Sequence, residues 1–227
     1  MYTHVLFDLD GTLADTLPLI EYAYDALFSA HPGLGRAGAD AMKLLGLPLN
    51  DLLAELAPGA NVPKLAEEYM RYYRSRHDEL LRGYPGVLET LSSLVKEGIV
   101  VGVVTSKVRE TTERALRELG LLDFMDTIVT AEDVECHKPL PDPILAAMKN
   151  LGCEPGATLY VGDSPFDVRA ARAAGVAAAA VTWGAFADQD LAAEFPQYVV
   201  REPSELLSIV RGIQPRDCRC LRPTCII

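Results

Sequence analysis

Residues 5–12 read Val-Leu-Phe-Asp-Leu-Asp-Gly-Thr: a short apolar run that ends in two carboxylates, a glycine and a hydroxyl. An apolar run without polar alternation is the pattern of a parallel strand covered on both faces. The same pattern recurs at 99–104 (IVVGVV), 126–130 (DTIVT), 158–161 (TLYV) and 177–182 (AAAAVT), so residues 3–7 open a series of five strands. Helical spacing fills the gaps. Residues 85–97 place Leu88, Leu91 and Val95 on one face, and the stretch after Ser106 does so with Val108, Thr112, Ala115 and Leu119. Ile144, Leu145, Met148 and Leu151 precede Gly152, and a further helix opens at Pro165 and closes before Gly175. Proline near the start and glycine past the end is the expected asymmetry. Strand–helix alternation with short links predicts an α/β fold with a doubly wound parallel sheet.

One stretch breaks that rhythm. From residue 16 to 81 the spacing is helical throughout: Ile20, Tyr24, Leu27 and Phe28; Leu49, Leu52, Leu53 and Leu56; Leu65, Tyr69, Tyr72 and Tyr73. Turn signals at 31–35, 46–48 and 58–59 separate these runs. The expected organisation is a core of residues 1–15 and 82–212, a helical insert at 16–81, and a tail at 213–227.

The chain has 227 residues, 49% hydrophobic and 23% charged, which is ordinary globular usage. Its net charge of −11 argues against nucleic acid or an anionic membrane as partner, because no general positive field exists to attract phosphate backbones. No apolar run approaches the roughly 18–20 residues of a membrane span, and the N-terminus lacks the pattern of a secretory signal, so the expected compartment is the cytoplasm. Cys136 and Cys153 stand apart, while Cys218, Cys220 and Cys225 crowd into the tail. An odd count in a domain of this size does not resemble a disulfide framework, and the tail reads as a reduced, frayed end.

In an open α/β sheet, ligands bind beyond the carboxyl ends of the strands. Asp8, Asp10, Gly11 and Thr12 follow the first strand, and Thr105 and Ser106 follow the second. Lys138 follows the third by a short loop, and Asp163, Ser164 and Asp167 follow the fourth. Singly, each has an ordinary reading as a turn, a helix cap or a loop lysine; their order at successive strand ends carries the inference. Asp8, Asp10 and Asp163 would repel one another without a divalent cation, and oxygen donors of this kind suit Mg²⁺. Thr105 and Lys138 are then placed to hold phosphoryl oxygens, with Ser106 beside them and the amide at Gly11 free to approach. Asp10, two residues beyond Asp8, is the expected proton carrier. The partner so implied is a small phosphorylated molecule.

These residues carry a family resemblance. Asp8-Leu9-Asp10-Gly11-Thr12, Thr105-Ser106, Lys138-Pro139 and Gly162-Asp163-Ser164-Pro165-Phe166-Asp167 resemble the four signature motifs of the haloacid dehalogenase-like hydrolases, over nearly the whole chain. FDLDGTLADT, VVTSK, HKPLPDP and VGDSPFDVRAARAAG are most similar to the phosphoglycolate phosphatase and small pyrophosphatase group. The resemblance implies Asp8 as nucleophile forming an aspartyl-phosphate and Asp10 as acid and base. It implies Mg²⁺ on Asp8, the Asp10 carbonyl and Asp163, with Thr105 and Lys138 on the phosphoryl group and Asp167 orienting Lys138 or a metal-bound water. The insert corresponds to that family's helical cap, with hinges near 14–16 and 82–84. Substrate-reading candidates in the cap are Tyr22, Lys43, Arg71 and Arg74, while Lys43 and Lys64 read better as solvated lysines than as Schiff-base formers. Lys107 is equally a phosphate-pocket cation or a surface lysine, and Trp183 reads as packing.

The presence of Asp10 fits phosphate chemistry rather than dehalogenation, in which a halide leaves without a proton. A sugar phosphomutase shares all four motifs. A receiver domain of a signalling protein shares the acids, the hydroxyl and the lysine, but carries its acidic pair and its acceptor on different strands and has no helical insert after the first.

Overall fold

The computed structural model describes residues 1–34 and 41–213, so the tail cysteines lie outside the described residues. Six parallel strands form the sheet: β1 (His4–Phe7), β4 (Val100–Val104), β5 (Thr127–Val129), β6 (Thr158–Gly162), β7 (Ala177–Val181) and β8 (Tyr198–Val200). Their order is β5-β4-β1-β6-β7-β8, with β1 between β4 and β6. His4 pairs with Val100 on one side and Thr158 on the other, so the three central strands run in step and end level. The switch in strand order at β1 opens a crevice there, where α/β sheets bind ligands.

Both faces of the sheet are covered, which is why its strands read as unbroken apolar runs. Val5, Phe7, Val101, Val103, Leu159 and Val161 share one core, against Leu91 and Leu94 of α4 (Val87–Lys96) and Ile209 of α9 (Glu205–Val210). Leu6, Val104 and Tyr160 point the other way, against Ile144 and Met148 of α6 (Asp142–Leu151) and Val168 of α7 (Pro165–Ala173).

Two details depart from the sequence reading. The face of α4 is Val87, Thr90, Leu91 and Leu94, whereas Leu88 and Val95 are exposed. Two overlapping apolar stripes share Leu91, and the one at positions 87, 91 and 94 turns to the sheet. The sixth strand, β8, is an edge strand of three residues, too short for a pattern to emerge.

The helical stretch packs around its own apolar core. Ile20, Tyr24 and Leu27 of α1 (Leu17–Ala30), Leu52, Leu53 and Leu56 of α2 (Leu49–Leu56), and Leu65, Tyr69 and Tyr73 of α3 (Val62–Leu80) meet there. The chain leaves and re-enters the core side by side: β2 (Ala14–Asp15) pairs antiparallel with β3 (Arg82–Gly83). Helix α3 also meets α5 (Arg109–Glu118) through Arg74 with Glu110, Asp78 with Arg114, and His77 with Glu118. Among the described residues, no helix is long and apolar enough to cross a membrane.

Candidate active site

The level ends of β1, β4 and β6 deliver Asp8, Thr105 and Asp163 to one rim, all three buried. Lys138, on the loop between β5 and α6, reaches in from the side and is itself only 1% exposed. Its ammonium lies 2.9 Å from Asp8 Oδ1 and 2.7 Å from Asp167 Oδ1. Asp167 is fixed on its other side by the start of α7. Its Oδ2 accepts the Ser164 amide at 3.0 Å and the Ser164 hydroxyl at 2.6 Å, and the Asp167 amide donates back to Ser164 Oγ. This reciprocal cap holds both the helix end and the carboxylate. The Tyr160 hydroxyl, 3.2 Å from Asp167 Oδ1 and 3.4 Å from the Lys138 ammonium, completes the cluster.

Asp163 is positioned by exclusion. Its Oδ2 accepts the Ala185 amide at 2.8 Å, and a Cβ on either Gly11 or Gly184 would lie 2.2 Å from that oxygen. This settles the part played by Gly11, which has φ +75 and no room for a side chain. The Gly11 amide donates to the Ala14 carbonyl at 2.9 Å, so it closes a turn rather than facing a phosphate. Ser106 likewise lines the cavity, but its hydroxyl donates to the Gly46 carbonyl of the helical module at 2.5 Å.

Asp10 is held by two side chains. The Thr16 hydroxyl donates to its Oδ1 at 2.6 Å, and the Lys107 ammonium lies 2.8 Å and 3.0 Å from its two oxygens. Lys107 also stands over the ring of Tyr73 from α3, 4.5 Å from its centre. Lys107 is thus a site residue and not a surface lysine, and Thr16 and Tyr160 join it as residues that strand-end reasoning did not select. Thr16 carries the one usable signal, a hydroxyl six residues after Asp10.

Burial dominates the electrostatics. It pushes the Asp8 carboxyl up to about 7, against the opposing pull of Lys138 and with help from Asp167 and Asp10. It likewise holds the Asp163 carboxyl well above its usual range, with Asp167 and Asp8 adding to the effect. For Lys138 burial works the other way, but Asp167 and Asp8 outweigh it and keep the ammonium charged. Three buried carboxylates face one lysine, and oxygens of Asp8, Asp163 and Asp167 lie within 4.8 Å of one another. Asp167 is already committed to Lys138 and Ser164, which leaves Asp8 and Asp163 as donors. A hard, oxygen-only, net-negative set of this kind fits a divalent cation such as Mg²⁺.

Above the rim lies a cavity of about 550 Å³, lined by Asp8, Asp10, Thr105, Lys138 and Asp163 below and by α1–α3 above. Of the four substrate-reading candidates in the helical module, only Arg74 lines it. Arg76 stands over the ring of Tyr22, Arg71 over that of Tyr72, and Lys43 and Lys64 are exposed. Trp183 donates to the Thr12 carbonyl at 3.1 Å and packs beside Tyr84, outside the cavity lining.

The fold and this site define a class: α/β enzymes that work at the carboxyl rim of a parallel sheet beneath an inserted helical module. The haloacid dehalogenase-like hydrolase family matches residues 5–181, and the chain belongs to that family. It is 39% identical over 211 residues to the pyrophosphatase PpaX of Bacillus velezensis, covering 91% of this chain and 95% of that one. The PpaX of Halalkalibacterium halodurans is 39% identical over 215 residues, covering 93% and 98%. In structure, the chain is similar to a hydrolase from Pseudomonas syringae, with a TM-score of 0.84 at 27% identity over 94% of this chain and 99% of that one.

Proposed function

We propose that this protein is a Mg²⁺-dependent phosphatase that hydrolyses a small phosphate monoester or pyrophosphate through an aspartyl-phosphate on Asp8. The observation that carries the reading is Lys138, buried between Asp8 and Asp167 at the crevice of the sheet. Lys138 takes one oxygen of Asp8 and leaves the second for attack on phosphorus. The bond from Asp8 to phosphorus forms as the bond to the leaving oxygen breaks, and Asp10 gives that oxygen its proton. Water then attacks the phosphorus, Asp10 takes the proton back, and Asp8 is freed. Splitting the displacement this way replaces one difficult step by two easier ones.

Thr105 and the Lys138 charge hold the non-bridging oxygens, and stabilisation of that kind is the main contribution expected in phosphoryl transfer. Asp8, the Asp10 carbonyl and Asp163 would hold Mg²⁺, which supplies positive charge to the phosphoryl oxygens and lessens their repulsion from the attacking carboxylate. The β2–β3 pair is the proposed hinge on which residues 16–81, acting as a cap, close to exclude bulk water. The similarity to two pyrophosphatases supports pyrophosphate as one candidate substrate.

The test is phosphate release from pyrophosphate, phosphoglycolate, sugar phosphates and nucleotides, each with Mg²⁺ and with chelator. Metal-dependent turnover of at least one is expected. Silence on all of them, with the fold verified, overturns the reading.

A further inference from the structure

Tyr73, on α3 of the helical module, is 1% exposed and lines the cavity together with Asp10 and Lys107. The Lys107 ammonium stands 4.5 Å from the centre of its ring while lying 2.8 Å from Asp10 Oδ1. The main chain of Lys107 is fixed: its amide donates to the Thr105 hydroxyl at 3.2 Å, and its carbonyl accepts the Ala131 amide at 3.0 Å. The ammonium, however, sits at the end of a flexible four-carbon stem, so its place depends on what it meets there. The ring is set in turn by α3. Arg74, the next residue, pairs with Glu110, and His77, its ring centre 5.7 Å from that of Tyr73, lies 3.1 Å from Glu118. Both partners belong to α5, the helix that begins just beyond Lys107. The Tyr73 hydroxyl is buried and makes no hydrogen bond, so what Tyr73 offers Lys107 is the face of its ring. That face is electron-rich and attracts an ammonium.

Resting on the reading of Asp10 as acid and base, we propose that Tyr73 is a positioning residue for the reaction: its ring holds the Lys107 ammonium and, through it, orients the Asp10 carboxylate. Without the ring the ammonium is free to swing on its stem, and Asp10 keeps Thr16 as its fixed partner. A misdirected proton carrier slows the chemical step and leaves the binding of the phosphoryl group to Thr105 and Lys138 untouched.

The test is a double-mutant cycle of Tyr73→Leu and Lys107→Met, read as kcat and KM on a substrate that the wild type turns over with Mg²⁺. Tyr73→Leu alone is expected to lower kcat by about three- to tenfold, with little change in KM. In the Lys107→Met background the same substitution is expected to lower kcat by less than about twofold, because the group it acts through is gone. Tyr73→Phe keeps the ring and is expected to stay within about twofold of the wild type. A role confined to packing the helical module would lower kcat by the same factor in both backgrounds. That result overturns the inference, as does a Phe variant as slow as the Leu one, and both leave the phosphatase reading standing. Where the Leu variant does not fold, Tyr73→Met, which fills the space more fully, takes its place in the cycle. A wild type that releases phosphate from no substrate overturns the phosphatase reading itself.

Discussion

The carboxylate of Asp167 lies 2.7 Å from the ammonium of Lys138, and both side chains are shut away from solvent. Lys138 is thereby held from behind while it faces Asp8, and Asp167 is in turn locked to the first turn of α7 through Ser164. Replacing Asp167 with Asn keeps the shape and the cap to Ser164 but removes the charge. The expected cost is about 2–3 kcal/mol, below the full value for breaking a buried ion pair because Asp8 still faces the lysine. Denaturant unfolding reads it, and a change under about 0.5 kcal/mol contradicts the pairing.

Lys138→Ala takes the only lysine away from three buried carboxylates. The rate is expected to fall on the order of 10²–10³, as it does when one transition-state charge partner is lost. The variant is also expected to be destabilised more at pH 8 than at pH 5, because burial raises Asp8 and Asp163 so that their charge, left without the lysine, is fuller at the higher pH. Phosphate release and thermal melts at the two pH values test both statements, and a near-wild-type rate removes Lys138 from the chemistry.

Lys107→Met leaves Asp10 held by Thr16 alone. Loss of the contacts that orient an acid–base group is expected to lower kcat by roughly 10–100-fold, with KM changed far less. Lys107→Arg, which keeps the charge, should recover part of the loss. Equal activity of the Met and Arg variants contradicts the assignment.

The Asp8 carboxyl stands at about 7 in the fold, against 3.8 for a free aspartate, and Asp163 is raised as well. A carboxyl whose folded value is raised binds its proton more tightly when folded. Its contribution to stability is therefore greatest below about pH 4 and falls as pH rises towards 7. A divalent cation offsets that loss only where the acids are ionised. The rise in melting temperature on adding Mg²⁺ is thus expected to be small at pH 5 and larger at pH 8; equal shifts at both would count against metal binding at these acids.

The strand ends were legible because each acid stands directly after an apolar run that only a covered parallel strand explains. Asp8, Thr105 and Asp163 meet for that reason, while Lys138 reaches them from the loop after β5 and Asp167 from the first turn of α7. The second layer was not legible. Tyr160 sits inside β6 and reads as core, yet its hydroxyl reaches Asp167; Lys107 reads equally as a phosphate-pocket cation or a surface lysine, and it turns inward to Asp10. Both depend on where a side chain points at the end of a long lever, which strand patterning does not encode. In the helical module, spacing identified the apolar faces, but the polar residues beside them had no pattern to say which face the cavity. Arg74 lines it, whereas Tyr22, Lys43 and Arg71 do not.

The central claim is that Asp8 carries the phosphoryl group in mid-reaction. The most direct measurement is to quench turnover in acid with any active substrate, reduce with borohydride, and map the peptides by mass spectrometry. The account predicts homoserine in place of aspartate at position 8, and none in Asp8→Asn. Phosphate release with no modified residue at that position, or with the modification at Asp163 instead, would contradict it.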